Sequence, residues 1–193
     1  MRDSVLEIDL GNLRHNVRHL KSKIGNRRII GVVKANAYGH GAARISRVLE
    51  EEGIDFFAVA IIEEALSLRE SGIRKPVLIL SCVDPSRASE VVSENLTVSI
   101  ANMEMARALS AEASRQGRKA AVHIKVDTGL HRFGIMPEEA VGFVRGLKEL
   151  EGIYIEGIYT HMASSKSSGE EYARMQIKTF LNVLGDLERQ GCR

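Results

Sequence analysis

Lys34 follows directly after an apolar run, residues 29–33, and precedes small residues and two glycines. Such a run predicts a buried strand. A lysine at the end of a buried strand is expected to lose contact with water. Loss of water disfavours the ammonium form and makes the neutral, nucleophilic amine easier to reach. Such an amine can condense with a carbonyl group to give a Schiff base. A strand-end lysine can also extend its charge to solvent, so the position alone leaves both interpretations open.

The second candidate group lies in residues 125–134, which read KVDTGLHRFG. Arg132 carries a planar guanidinium that stays charged and matches the two oxygens of a carboxylate. Asp127 offers a carboxylate for catalysis, but in an Asp-Thr-Gly turn that side chain can also bind the loop backbone. We favour the structural role for Asp127.

The third candidate is His161, in residues 157–164, which read GIYTHMAS. A lone histidine is more often structural than functional, so its type alone assigns no role. His15 and His19 lie four residues apart on a predicted helix, a spacing that could bind a metal. A solvated helix face explains that pair better, and no metal site is predicted.

Residues 32–41, VVKANAYGHG, resemble the lysine motif of the alanine racemases that use pyridoxal phosphate (PLP). In that family the lysine forms an internal aldimine with PLP, and the tyrosine four residues later contacts the cofactor phosphate. The resemblance implies that Lys34 is catalytic and binds the cofactor, and that Tyr38 is a second cofactor-binding residue.

Residues 125–134 resemble the family pattern Lys-x-Asp-Thr-Gly-Met-x-Arg-x-Gly, with Leu130 in place of the commoner methionine. The resemblance implies that Arg132 contacts both the cofactor phenolic oxygen and the substrate carboxylate. Lys125 would support that arginine, and in some members it is carbamylated; an unmodified lysine fits this sequence equally. Residues 157–164 resemble the segment Gly-x-x-Thr-His-x-Ala, which implies that His161 lies against the cofactor ring.

Composition describes an ordinary globular protein: 193 residues, 44% hydrophobic, 27% charged and a net charge of +2. This charge gives no reason to expect a nucleic acid or an anionic membrane as partner. No apolar run approaches the roughly 18 residues that cross a bilayer. Cys82 and Cys192 are far apart and lack metal-ligand spacing, as expected of reduced thiols in the cytoplasm.

Strand and helix patterns alternate along the chain. A short strand is predicted at 5–8, and Asp9 caps a helix that ends at Gly25. Six strand–helix units follow. Their strands are predicted at 29–33, 56–61, 77–80, 96–100, 121–126 and 154–159. Their helices are predicted at 42–52, 63–71, 86–93, 103–115, 138–150 and 170–190.

This alternation predicts an α/β protein with a parallel sheet, either doubly wound or a barrel. The candidate residues follow the carboxyl ends of strands, where both architectures bind ligands. No Gly-x-Gly-x-x-Gly follows the first strand. The racemase resemblance implies a TIM (β/α)₈-type barrel, here incomplete at about six units. Residues 1–193 would then be the N-terminal part of a PLP-binding barrel, without the rest of the barrel or the C-terminal β-domain.

The resemblance also implies a function: interconversion of L-alanine and D-alanine through a PLP Schiff base, which supplies D-alanine for cell-wall peptidoglycan. The full-length family is homodimeric, and its second acid/base is a tyrosine from the partner subunit's C-terminal domain. The truncated chain is therefore expected to be inactive alone. Two alternatives stay open: a racemase for another amino acid such as serine, and a non-enzymatic PLP-binding barrel protein, which would lack the motif ANAYGHG.

Overall fold

The computed structural model describes residues 5–164 and 169–192. The chain divides into two compact units, Met1–Leu80 and Ser81–Arg193. Composition does not change at this boundary, so the sequence does not predict the division.

The first unit alternates helices and strands. Its strands are mutually parallel, with β1 paired to β2 and β2 paired to β3. In chain order the elements are α1 (Leu10–Ile24), β1 (Ile30–Val32), α2 (Lys34–Tyr38), α3 (Ala42–Glu51), β2 (Phe56–Val59), α4 (Ile62–Glu70) and β3 (Val77–Ile79).

Helix α1 begins and ends where the sequence predicts. The Asp9 carboxylate accepts hydrogen bonds from the backbone N–H groups of Gly11 at 2.7 Å and Asn12 at 3.1 Å, which satisfies donors that the helix cannot. Gly25 ends the helix with a φ of 64°. The strand predicted at 5–8 is wrong: these residues form no strand, and Val5 is 82% exposed. Residues 5–8 have no neighbouring strand to pair with among the described residues, and apolar content alone does not produce a strand.

Strand β1 departs from the prediction of a buried strand. Ile30 and Val32 are 40% and 44% exposed, whereas every residue of β2 and β3 is buried. Within the first unit β1 pairs with β2 alone, at the register Ile30↔Phe56. Ile30 and Val32 are two residues apart and point to the same face of the strand, and that face is the exposed one. Local apolar content predicts a strand correctly but does not predict how many neighbours cover it.

The second unit continues the same alternation. Its strands are again parallel, with β4 paired to β5 and β5 to β6. After a 3₁₀ turn at Pro85–Arg87 its elements are α5 (Ala88–Ser93), β4 (Thr97–Ile100), α6 (Met103–Arg115) and β5 (Ala120–Lys125). A second 3₁₀ turn at Pro137–Glu139 leads into α7 (Ala140–Lys148), β6 (Ile153–Tyr159) and α8 (Glu170–Arg189).

The six strand–helix units of the prediction are thus confirmed, with ends that differ by a few residues. Two predicted helix starts are 3₁₀ turns instead: Asp84 caps the first by accepting from Ser86 N at 2.9 Å, and Pro137 opens the second. Within the described residues, none of the helices is both long and apolar enough to cross a membrane.

The two faces of β4 and β5 differ in chemistry. Val98, Val122 and Ile124 are completely buried on one face. Successive residues of a strand point to opposite faces. The residues that alternate with these apolar ones, on the other face, are polar. These are Thr97, Ser99, His123 and Lys125. The polar face leads directly to the candidate site.

Candidate functional site

The lysine motif forms a left-handed helical turn in the first unit. Ala35, Asn36, Ala37 and Tyr38 have φ values of 51°, 55°, 53° and 54°. L-residues with side chains avoid this region, at a cost of about 1–2 kcal/mol each. Four such residues in succession therefore mark a strained backbone, which in proteins is concentrated at functional sites. Sequence patterns do not predict this turn, because alanine ordinarily favours the right-handed helix.

Two side chains, Glu64 outside the turn and Asn36 within it, hold the strained backbone. Glu64 of α4 accepts hydrogen bonds with both carboxylate oxygens, from Ala35 N at 2.6 Å and from Ala60 N at 2.7 Å. Asn36 Oδ1 accepts from Ala42 N at 2.8 Å and so joins the turn to the start of α3. Glu64 therefore fixes the peptide that follows Lys34, a role that sequence reasoning missed.

Lys34 follows β1 as predicted, directly after the buried residue Val33. The lysine is partly buried rather than deeply buried, since β1 itself is exposed. Tyr38, on the same turn, is 62% exposed. Within the described residues neither the Lys34 amine nor the Tyr38 hydroxyl has a hydrogen-bond or ion-pair partner. The turn thus presents a nucleophilic amine and a phenol donor, both available to a ligand.

Asp127 has the structural role predicted for it in the second unit. Its Oδ1 accepts hydrogen bonds from the backbone N–H groups of Gly129, Leu130 and His131, at 2.9, 2.9 and 3.0 Å. Burial alone would raise the pKa of the Asp127 carboxyl, but these donors favour the charged form and hold the pKa below its usual range. The carboxylate is committed to the loop backbone.

The same loop is closed at its base by backbone contacts. Ile135 N donates to Lys125 O, and Asp127 N donates to Ile135 O, both at 2.9 Å. Gly134 lies where these chains meet: a Cβ there would stand 2.7 Å from Asp127 N. Its φ of 136° also disfavours any side chain. The loop that carries Arg132 is therefore anchored at both ends.

Lys125 ends β5, and only 6% of it is exposed. Its Nζ donates to Phe133 O at 3.2 Å and lies 5.7 Å from the centre of the Tyr159 ring. Burial lowers the pKa of Lys125; Asp127 opposes that shift, and the cationic Arg132 adds to it. Arg132 is exposed and has no hydrogen bond or ion pair within the described residues. The charge of Arg132 thus acts on the Lys125 ammonium through space.

A β-bulge in β6 determines which side chains face Lys125. Val122 pairs with Ile155 but the next residue, His123, pairs with Gly157, so Glu156 is an extra residue in the strand. A bulge of this kind re-aims the side chains that follow. Beyond it Tyr159 lies on the polar face, where its hydroxyl meets Ser99 Oγ at 2.7 Å.

Polar contacts hold the bulge in place. Glu156 Oε2 accepts from Thr97 Oγ1 at 3.1 Å and lies 3.3 Å from His123 Nε2. The His123 ring lies over Gly157, where a Cβ would be 2.9 Å from the imidazole Cε1. Burial raises the pKa of the Tyr159 phenol, and the bond to Ser99 opposes that shift. Tyr159 is a second residue that sequence reasoning missed.

His161 follows β6, as the sequence predicts, and is exposed. Its carbonyl oxygen accepts from Gln176 Nε2 at 3.2 Å. The second unit thus brings together the segment that carries His161 and the loop that carries Arg132, whereas the first unit places Lys34 and Tyr38 on one turn. Gln176 is a third missed residue, and nothing in its local sequence distinguishes it from other helical glutamines.

Comparisons with known proteins identify relatives over nearly the whole chain. The family model described as alanine racemase, N-terminal domain, matches residues 8–193. Alanine racemase 2 of Caldanaerobacter subterraneus subsp. tengcongensis is 42% identical over 193 residues, which is 99% of this chain and 50% of the relative. The chain spans about half the length of the curated relatives it matches.

Solved structures give the same result. The alanine racemase of Clostridium difficile 630 in complex with cycloserine has a TM-score of 0.93 and 34% identity, covering 96% of this chain and 52% of that one. A histidine racemase from Leuconostoc mesenteroides subsp. sake has a TM-score of 0.83 and 27% identity, covering 89% and 46%. The predicted fold class, an α/β barrel of the (β/α)₈ type that is incomplete here, is confirmed.

Proposed function

Because the chain belongs to the alanine racemase family, we propose that the protein containing it interconverts L-alanine and D-alanine with PLP bound through Lys34. The observation that carries the proposal is the left-handed turn at 35–38, where a strained backbone presents the Lys34 amine and the Tyr38 phenol, neither of which has a partner among the described residues. Backbone strain of this kind persists only where surrounding contacts fix the conformation, and such positions are concentrated at functional sites.

The available donors fit PLP. The cofactor carries an aldehyde, which a primary amine such as Lys34 Nζ can capture, and a phosphate, which a phenol such as Tyr38 can bind by donation. Arg132 adds an exposed guanidinium suited to an anionic oxygen. Glu64 fixes the backbone beside Lys34, so the amine begins from a defined position.

Lys34 has two tasks in this proposal. When bound, PLP supplies an electron sink for the carbanion that remains when the α-proton of alanine departs. Lys34 Nζ holds the cofactor between turnovers and, once released, removes or returns the α-proton on one face of the substrate. Inversion needs a second acid/base on the opposite face. The family resemblance gives that role to a tyrosine of the partner subunit, outside these residues.

Three residues of the second unit support this chemistry. Arg132 binds the substrate carboxylate and the phenolic oxygen of the cofactor, and His161 lies against the cofactor ring. Lys125 supports Arg132. As a cation Lys125 repels the guanidinium, and as a carbamate it would attract and orient it. The lowered pKa of Lys125 increases the neutral amine that carbamate formation requires.

The proposal extends to the whole protein. Residues 1–193 form the N-terminal part of a PLP-binding barrel that functions as a homodimer in the cytoplasm. The product D-alanine serves cell-wall peptidoglycan. The isolated chain supplies one of the two acid/base groups and is inactive, or nearly so, in racemisation.

A racemase for another amino acid is the second candidate. The histidine racemase with a TM-score of 0.83 demonstrates that a related fold accompanies another substrate. Serine, which is close to alanine in size, is one such substrate. Substrate choice would depend on side chains that close around the β-carbon of the amino acid.

Solvent-deuterium exchange tests the proposal. The purified chain, loaded with PLP, is incubated in heavy water with L-alanine or D-alanine, and loss of the α-proton is followed by NMR. Exchange of one enantiomer without inversion is expected, because Lys34 serves one face. Lys34→Ala abolishes the exchange; Lys23→Ala, at an exposed lysine of α1, does not. Equal exchange in wild type and Lys34→Ala, or exchange with neither enantiomer, contradicts the proposal. Parallel reactions with serine and histidine test the alternative.

A further inference from the structure

Two polar side chains on α8 face the segments that follow β5 and β6. Tyr172 and Gln176 are four residues apart, so they lie on the same side of the helix. Gln176 is completely buried, which is unusual for a glutamine unless all its polar atoms are bonded.

Gln176 uses both ends of its amide. Its Oε1 accepts from Ala163 N at 2.9 Å, while its Nε2 donates to His161 O and to Thr128 Oγ1, both at 3.2 Å. Ala163 and His161 belong to the segment after β6, and Thr128 belongs to the loop after β5. One side chain therefore bridges the two segments that carry the proposed cofactor contacts of this unit.

Further bonds strengthen the same connection. The Tyr172 hydroxyl donates to Gly129 O at 2.8 Å. Thr128 and Thr160 share a hydrogen bond of 2.8 Å, and Thr160 also donates to Val126 O at 2.9 Å. The loop after β5 is thus bound both to α8 and to the end of β6.

We propose that Gln176 is a positioning residue for the cofactor site: by bridging Ala163, His161 and Thr128 it sets His161 and the Arg132 loop in one arrangement. Tyr172 is the second anchor on the same helix. The inference rests on the proposed function, because the residues that Gln176 positions are the proposed contacts of PLP. An amide is suited to the task, since a single group must accept from one backbone atom and donate to another. An apolar side chain would leave His161 O and Ala163 N without the hydrogen bonds that Gln176 makes to them.

The test compares variants of the 193-residue chain. Gln176→Met keeps the length of the side chain but removes its hydrogen bonds. Gln176→Glu keeps the shape and the acceptor for Ala163 N but loses the donors when ionised. Gln190→Met, at an exposed glutamine just beyond α8, is the matched control. Thermal unfolding verifies that each variant folds.

Two readouts follow. The first is hydrogen exchange of the Ala163 amide without cofactor. The second is the PLP concentration needed to label Lys34, fixed by borohydride reduction and measured by mass spectrometry. Gln176→Met is expected to speed exchange at Ala163 and to raise the PLP requirement, each about tenfold or more, because the hydrogen bonds of a completely buried amide are lost. Gln176→Glu raises the PLP requirement while it leaves Ala163 more protected than Gln176→Met does.

The outcomes separate the inference from the function beneath it. A wild-type chain that takes up no PLP on Lys34 contradicts the proposed function, and the inference falls with it. A wild-type chain that takes up PLP, together with folded Gln176 variants that match Gln190→Met, contradicts the inference alone. If Gln176→Met does not fold, Gln176→Glu and Tyr172→Phe decide the question by the same comparison.

Discussion

The Lys125 ammonium group lies 5.7 Å from the centre of the Tyr159 ring, over a phenol whose hydroxyl is bonded to Ser99. Cations are attracted to the faces of aromatic rings within about 6 Å. The contact exists because the bulge at Glu156 turns Tyr159 to the polar face of the sheet. The register in which β5 pairs with β6 therefore determines which side chains lie around Lys125. The bulge that sets this register lies several residues before the loop that carries Arg132.

The charge of Arg132 is expected to contribute to the lowered pKa of Lys125. Arg132→Leu removes that cation and therefore raises the pKa of Lys125, whereas Arg107→Leu, at an exposed arginine of α6, leaves it unchanged. Reductive methylation with isotope-labelled formaldehyde allows the Lys125 amine to be titrated by NMR. An identical titration in wild type and Arg132→Leu would mean that the two cations do not interact.

The same lowered pKa predicts how stability depends on pH. Between the lowered value and the ordinary 10.5, the folded chain binds fewer protons at Lys125 than the unfolded chain. Stability should therefore rise with pH through that window. Lys125→Met lacks this contribution. The difference in free energy of unfolding between the wild-type chain and Lys125→Met should therefore change as pH rises from the lowered pKa of Lys125 to 10.5. Urea unfolding at several pH values measures it, and a constant difference would contradict the prediction.

Asp127 should give a pH dependence of the same sign, but in the acid range. Asp127→Asn weakens three backbone contacts that a carboxylate accepts more strongly, a loss of about 1–2 kcal/mol at neutral pH. Since the pKa of the folded-state carboxyl is lowered, its stabilisation is complete above the ordinary 3.8 and disappears as pH falls through the lowered pKa. Denaturant unfolding of both proteins from neutral to acid pH gives the difference directly. The prediction fails if the two curves stay parallel down to acid pH.

Gly157 is expected to tolerate no side chain. Gly157→Ala places a Cβ about 2.9 Å from the His123 ring and should cost about 1–3 kcal/mol, because a packed ring must move. Gly142→Ala in α7 is the matched control, since a Cβ there meets nothing within 4 Å. It should stabilise the helix by up to about 1 kcal/mol. Thermal unfolding compares the two, and equal melting temperatures would contradict the close packing of His123 on Gly157.

An alanine-to-glycine substitution is expected to change the free energy of unfolding in opposite directions in the left-handed turn and in a right-handed helix. Ala35→Gly relieves strain of about 1–2 kcal/mol and adds roughly 0.5–1 kcal/mol of chain entropy to the unfolded state, so a net gain of about 0.5–1 kcal/mol is expected. Ala111→Gly, at an exposed site in the right-handed helix α6, should lose about 1 kcal/mol. Denaturant unfolding measures both. A loss of stability in Ala35→Gly equal to that in Ala111→Gly would mean that the turn is not left-handed in solution.

Sequence reasoning succeeds where the determining contacts are local. The Asp9 cap, the strand–helix alternation and the loop role of Asp127 depend on neighbours within four residues, and each is confirmed. The left-handed turn depends instead on Glu64, which is 29 residues from Ala35. Gln176 is 48 residues from Thr128.

The exposure of β1 and the bulge in β6 follow the same rule. Both depend on which strands lie alongside, and the apolar content of a segment does not reveal its neighbours. The candidate side chains can therefore be predicted from one sequence, but the residues that position them cannot.

Covalent capture of PLP by Lys34 tests the central claim most directly. The purified chain is incubated with PLP, reduced with borohydride and digested, and the labelled peptides are mapped by mass spectrometry. We expect a phosphopyridoxyl group on Lys34 that is retained in Lys23→Ala and lost in Lys34→Ala. Label spread evenly over exposed lysines, with the same yield in Lys34→Ala, would contradict it.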